Sequence, residues 1–427
     1  MEQLTKLIRE DMKPALGVTE PGAIAFAAAT ARAQIGGEVT GVSLRLNSGM
    51  YKNAFTCGIP GSSRLGNLYA AALGAVGADP EKGLECLGGI TPEQEREAEA
   101  LVKAGKVRAE VSRVSSRIEI EAEVSTRQGT AAVVIRDSHT HIVEIRVNGA
   151  VTYRQEEAPA GEEEREAPLI HRYTLGQLVE YIETVPFSEI EFIEEAYRVN
   201  LALFEEGLGS SRTTFAPLLL RENGGERFSP DEERTASLLC NAAIEARVIG
   251  LDRPAMSITG SGAHGIIATL PLYAAYRVQG YSRERLLRAT ALSYLVCIYI
   301  KEYSGRLSAF CGCAIAAGTG MAVALAWLRG GGLPELAGVI RNMASSITGM
   351  ICDGGNQGCT MKGIAAVSAA YASVRLAMAG VSVQAVHGIN GRTPEETMAF
   401  MGRIASPGME GTETTIMEIL GEKGRGM

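Results

Sequence analysis

The stretch MICDGGNQGCTMK, residues 350–362, places Cys352 and Cys359 in a glycine-rich break between two alanine-rich segments. A second break, LSAFCGCAIAAG at 307–318, supplies Cys311 and Cys313. Thiolates are soft donors suited to zinc or to iron–sulfur clusters. The C-x-C and C-x6-C spacings depart from the short C-x-x-C pairs of structural zinc sites, whereas iron–sulfur clusters take cysteines at variable spacing. Ordinary core packing of free cysteines is the competing reading.

Four further segments carry polar groups beyond what a turn needs. In GVTEPGAIAFAAAT (17–30), Thr19 can cap a helix that has Glu20 and Pro21 in its first turn; the free N–H groups of such a start could also hold an anion. NSGMYKNAFTCGIPGSS (47–63) reads as a long irregular loop after a strand, with Lys52, Asn53 and Cys57. Lys52 could bind a carboxylate or form a Schiff base, or be merely solvated. In RDSHTHIVEI (136–145), His139 and His141 alternate and would share one face of a strand. SITGSGAHGIIATLP (257–271) puts Gly260, Gly262 and Gly265 before a helix with Thr259, Ser261 and His264 interleaved, a possible anion cradle of backbone N–H groups. No Gly-Lys-Ser/Thr follows, and no strand precedes it in a βαβ unit, so neither a P-loop nor a dinucleotide fingerprint is indicated.

The elements that position these segments fall into two parts. Residues 1–155 read as an α+β lobe with a small mixed or antiparallel sheet: 39–47 is strand-like, Ile118, Ile120, Ala122 and Val124 alternate with glutamates, and β runs follow at 130–136 and 141–147. Thr91 with Gln94 forms a capping box at a helix start. The acidic stretch 156–172 reads as a connector. From 173 to 427 the pattern is helical, at 175–184, 188–206, 231–248, 263–278, 283–302, 306–329, 334–349 and 361–379. The uncharged run 307–328 has the length of a membrane span, but its Ala, Gly and Ser content suits a buried core helix.

A net charge of −8 argues against nucleic acid as partner, and the opening residues form an amphipathic helix pattern rather than a signal peptide. The expectation is a cytoplasmic protein with reduced thiols and no membrane partner. A broad Ala/Gly-rich helical surface makes a homodimer plausible.

PALG-x-TEP, the Lys52-Asn53 loop ending in Pro-Gly, HT-x-IV, the glycines before a helix, RLSA-x-C and GMICDG…C-x-MK together resemble the L-cysteine desulfidase family. That family is similar to the α part of iron–sulfur L-serine dehydratases. The resemblance implies a lyase that eliminates a β-substituent from L-cysteine or L-serine, with a [4Fe–4S] cluster held by three cysteines and its fourth iron acting as Lewis acid. Two ligands fall on Cys311 and Cys352. Lys52, His139 and Ser261 fall at catalytic positions; Thr19, Glu20, Asn53, Thr140, Gly262 and His264 fall at substrate-binding ones. The family's remaining cysteine, in G-C-T-E-P, is Val18 here, and Ser261-Gly262-Ala263-His264-Gly265 departs from Ser-Gly-Asn-Gln-Gly. Either another side chain, Cys359, Cys313 or His264, replaces that thiolate, or the cluster is gone and the scaffold does other chemistry or binds without turnover.

Overall fold

The computed structural model describes residues 2–155, 167–305 and 307–424; most of the acidic connector lies outside them. The first part runs α1 (Glu2–Asp11), β1 (Lys13–Leu16), α2 (Thr19–Ala33), β2 (Val39–Asn47), α3 (Ser48–Ala54), α4 (Gly66–Gly77) and α5 (Pro92–Lys103). Strands β3 (Val107–Arg113), β4 (Glu119–Thr126), β5 (Gly129–Arg136), β6 (Ile142–Val147) and β7 (Ala150–Arg154) follow. They join β2 in a six-stranded sheet of order β3-β2-β4-β5-β6-β7, in which only the β2–β3 pair is parallel. Period-two patterning sets its faces: Ile120, Ala122 and Val124 are buried, while Glu123 between them is exposed. Helix α2, rich in alanine on its buried side, lies against β4 and β5.

The second part is helical: α6 (Leu175–Thr184), α7 (Phe187–Ile190), α8 (Glu194–Gly209), α9 (Phe215–Glu222), α10 (Glu232–Val248), α11 (Gly262–Gln279), α12 (Arg283–Ser304), α13 (Gly318–Leu328), α14 (Leu333–Ile347), α15 (Gly358–Met378), α16 (Pro394–Ala405) and α17 (Glu410–Gly424). Helices α10 to α13 are buried on nearly every side, with Glu245, Arg247 and Lys301 among the residues that α10 and α12 bury. Small residues let them approach closely. A Cβ on Gly320 would stand 2.2 Å from the Ser293 carbonyl oxygen, so α13 meets α12 backbone to backbone.

The architecture is that of an α+β lobe followed by a large helical part, as the patterning implies. Four local readings are corrected. The segment 47–63 is not irregular throughout, because Ser48–Ala54 is helical. His139 and His141 lie in the turn between β5 and β6, not on a strand. A short strand, β8 (Pro254–Ser257), does precede the glycine segment, and it pairs antiparallel with β1, Lys13 opposite Ser257. The helix expected over 306–329 begins only after a non-helical stretch through Phe310, because Gly305 at φ 74° ends α12; a π-helical turn, Cys313–Ala317, then leads into α13. Among the described residues no helix is long and apolar enough to cross a membrane.

The α12–α13 contact is testable. Gly320→Ala should cost about 1–3 kcal/mol, because the added methyl meets backbone that cannot rotate away. Urea denaturation measures it, and an unchanged midpoint would show that the helices can part freely.

Candidate active site

The site forms where β8, the starts of α2 and α11, and two turns meet. Between β8 and α11, Ile258 and Ser261 close a two-residue turn with reciprocal backbone hydrogen bonds, and Thr259 and Gly260 both have positive φ (52° and 74°). Thr259 is strained in that region; its N–H is held by the Asp11 carboxylate at 2.5 Å. The Thr259 hydroxyl donates to the Ile258 carbonyl at 2.7 Å and also meets His264 Nδ1. With its one proton committed, that oxygen accepts from Nδ1–H, which leaves the Nε2 lone pair of His264 facing Gly312. Burial first, then the Lys301 and Arg247 cations, hold His264 well below the usual imidazole range, so the ring is neutral.

The other wall is made by the two cysteine-bearing turns. Cys311 N–H donates to the Met350 carbonyl at 3.1 Å and Cys352 N–H to the Ala309 carbonyl at 2.6 Å, an antiparallel bridge centred on Phe310 and Ile351. This pairing fixes Cys311 and Cys352 in one neighbourhood. A hydrogen bond donated to Cys313 and then burial push the Cys311 thiol well up, while burial raises Cys352 against the lowering effect of Lys52. Cys359 is pushed up to about 11 by burial, and Cys352 and Cys311 each add to the rise. Lys362 lies among the three: burial opposes its charge, but Cys352 and Cys359 together with a short contact to Asp353 raise it.

Between the walls is a cavity of about 80 Å³. At roughly 10–15 Å³ per water-sized group it admits a handful of non-hydrogen atoms, the size of a three-carbon amino acid. Its lining includes two buried cations, Arg247 and Lys301, and one buried carboxylate, Glu20. Arg247 is 5% exposed, and its Nε has no partner among the described residues. Gly262 makes room for it: a Cβ there would stand 2.7 Å from Nε. A buried guanidinium left without an anion is costly, and the cavity is where an anion would satisfy it. Burial lowers Lys301, which hydrogen-bonds the Gly305 carbonyl at 2.7 Å. Glu20 accepts from Asn53 Nδ2 at 2.8 Å, and Asn53 Oδ1 has no partner among the described residues.

Of the residues singled out in the sequence, Thr19, Glu20, Asn53, His139, Ser261, His264 and Cys352 line this cavity. Thr19 does not cap α2. Val18 occupies the N-cap without a side-chain bond, and Thr19 is the first helical residue. Gly262 backs the cavity through Arg247, and Cys311 and Cys359 stand behind Cys352. Thr140 is exposed in its turn and does not line the cavity. Lys52 is buried away from it, donating to Glu413 at 2.7 Å and to the Ser308 carbonyl at 3.0 Å. No free amine is left there for a Schiff base. Arg247, Lys301 and Ser308 were missed; the signal was a lone cation within otherwise apolar helical runs, NAAIEARVIG and YLVCIYIKEY.

The serine dehydratase alpha chain family profile matches residues 81–418. The chain belongs to this family. It is 39% identical over 427 residues to a UPF0597 protein of Clostridium botulinum (strain Langeland), covering 99% of both. It is 35% identical to UPF0597 protein TTE0269 of Caldanaerobacter subterraneus subsp. tengcongensis, covering 98% of both, and 37% identical to a UPF0597 protein of Aeromonas hydrophila, covering 98% of this chain and 96% of the other.

The family's kinship with iron–sulfur enzymes raises the question of donors. Among the described residues no three His, Cys, Asp or Glu side chains close on a single metal ion. A cluster makes a different demand, since its thiolates bond separate irons and stand further apart. Cys311 raises the pKa of Cys352, and both raise that of Cys359, a proximity of thiols that a bound cationic centre would relieve. This donor set fits a cluster. Position 18 offers none: the Val18 methyls press on the 353–357 turn, where a Cβ on Gly355 would come within 2.9 Å of them.

Arg247 provides the first test of the cavity. Arg247→Met should weaken binding of a small α-amino acid by about 2 kcal/mol or more, followed as the lost ligand-induced rise in melting temperature. Equal stabilisation of both proteins would remove the guanidinium from the binding site.

Proposed function

We propose that this chain is a lyase that removes the β-substituent of a small L-amino acid, L-cysteine or L-serine, giving pyruvate and ammonia with hydrogen sulfide or water. One observation carries the reading: a cavity of amino-acid size is lined by buried Arg247, Lys301 and Glu20 together with Cys352. A guanidinium and a carboxylate lining one small cavity match an α-carboxylate and an α-ammonium.

In this reading Arg247 receives the substrate carboxylate, helped by the free N–H groups at the start of α11 next to Ser261. Glu20, oriented by Asn53, receives the ammonium. These two contacts fix the Cα between the cavity walls and direct the β-substituent along the remaining axis. Lys301, once it has shed the proton that burial disfavours, accepts the α-proton as a neutral amine. Neutral His264 presents a lone pair rather than a second proton source. Loss of the α-proton and of the β-substituent leaves aminoacrylate, whose imine tautomer hydrolyses to pyruvate and ammonia. Cys311, Cys352 and Cys359 would hold a [4Fe–4S] cluster, which when bound supplies a Lewis acid at an iron that no protein ligand occupies.

The test combines composition with turnover. Protein purified without air should be brown and contain iron and sulfide; Cys352→Ser and Cys359→Ser should each lose most of that iron; and pyruvate should form from L-cysteine or L-serine. Val18→Cys should leave iron content unchanged if Cys359 is the third ligand. A gain of iron in that variant from an iron-free parent would instead assign the third place to position 18. Colourless, iron-free protein that is stabilised by the amino acid but forms no pyruvate would overturn the lyase reading in favour of a binding scaffold.

A further inference from the structure

The molecule contains a buried ion pair that the binding chemistry does not use. Lys52 on α3 and Glu413 in the first turn of α17 meet at 2.7 Å, with side chains 1% and 6% exposed. The partners are 361 residues apart in sequence, so the contact is tertiary. Around Lys52 the site's pieces gather. Its ammonium also donates to the carbonyl of Ser308, a cavity-lining residue on the first cysteine turn. Its own carbonyl lies against Gly354 on the second turn, where a Cβ would come within 2.3 Å. The next residue, Asn53, orients Glu20 and accepts the Gly355 N–H at 3.3 Å. At its far end α17 returns to the same place, with Gly424 against the Phe55 and Tyr51 rings.

We propose that the Lys52–Glu413 pair is a positioning device: it makes α17 part of the active site by holding α3 and both cysteine turns in register. Lys52 then acts through Ser308, Asn53 and the 352–357 backbone rather than on substrate. The geometry explains why an ammonium sits where an aliphatic side chain would pack at less cost. Its three donors let the ammonium bond the Ser308 carbonyl and balance the charge of a carboxylate from a distant helix at once, which an aliphatic side chain cannot do. The alternative is a pair that merely stabilises the fold, and buried pairs are often replaceable by apolar residues with no loss of stability.

That difference supplies the experiment, whose turnover readout rests on the lyase reading while its exchange readout does not. In the full-length chain, Glu413→Gln leaves Lys52 unpaired and should lower both melting temperature and kcat. The double variant Lys52→Met/Glu413→Leu should regain the wild-type melting temperature but keep kcat down by about 100-fold, as expected when reacting groups are misplaced by about an ångström. In both variants, hydrogen–deuterium exchange of peptides covering 307–312 and 352–357 should accelerate at least tenfold over the wild type, with α12 still protected. Wild-type exchange at both turns in the thermally restored double variant would overturn the proposal, as would wild-type kcat. If the wild-type protein makes no pyruvate, exchange alone decides: faster exchange keeps the positioning role while the lyase reading falls.

Discussion

Two backbone hydrogen bonds hold the site together: Cys311 N–H to Met350 O and Cys352 N–H to Ala309 O. They join the turn that follows α12 to the turn that precedes α15, segments about forty residues apart with α13 and α14 between them. Each such bond adds only about 1 kcal/mol. Their consequence is geometric, because they bring Cys311 and Cys352 into one neighbourhood beside the cavity. The all-round burial of α12 and α13 makes that geometry rigid, since packed helices with backbone contacts cannot slide to accommodate a misplaced turn.

Charge is the second constraint. Lys52, Arg247, Lys301 and Lys362 are all buried or half-buried around one small volume. Two have carboxylate partners: Lys52 with Glu413, and Lys362 with Asp353. Arg247 faces the cavity with its Nε unpartnered. A concentration of positive charge beside buried thiols favours anions, both sulfur ligands in thiolate form and a substrate carboxylate. Burial, reinforced by the same field, keeps His264 neutral. In the proposed reading one arrangement of cations serves two kinds of negative group, and Glu20 is the cavity carboxylate that would distinguish an amino acid from a simple acid.

Much of this was legible in the sequence, for identifiable reasons. The strand at 39–47, the alternation around Ile120 and the capping box at Thr91 are local signals, and each element formed where its pattern placed it. The convergence of Glu20, Asn53, Ser261, His264 and Cys352 followed from motif resemblance, since nothing local reports that they meet. What escaped was decided by tertiary contact. Arg247 and Lys301 look like ordinary helix cations until burial removes their water. Lys52 looked chemically available because its partner, Glu413, lies far along the chain. The break at 307–312 was hidden because its alanine and cysteine content reads as helix, although Gly305 ends α12 and the pairing of Phe310 with Ile351 holds the strand-like geometry.

The central claim is that an amino-acid carboxylate sits on Arg247 with the β-substituent directed toward Cys352. The most direct measurement is an anaerobic crystal structure of the protein with L-serine bound. The account predicts carboxylate oxygens within hydrogen-bonding distance of the Arg247 guanidinium, the ammonium at Glu20 and the hydroxyl nearest Cys352. Density for serine outside this cavity, or with its carboxylate at Glu20's end and its ammonium at Arg247, would contradict it.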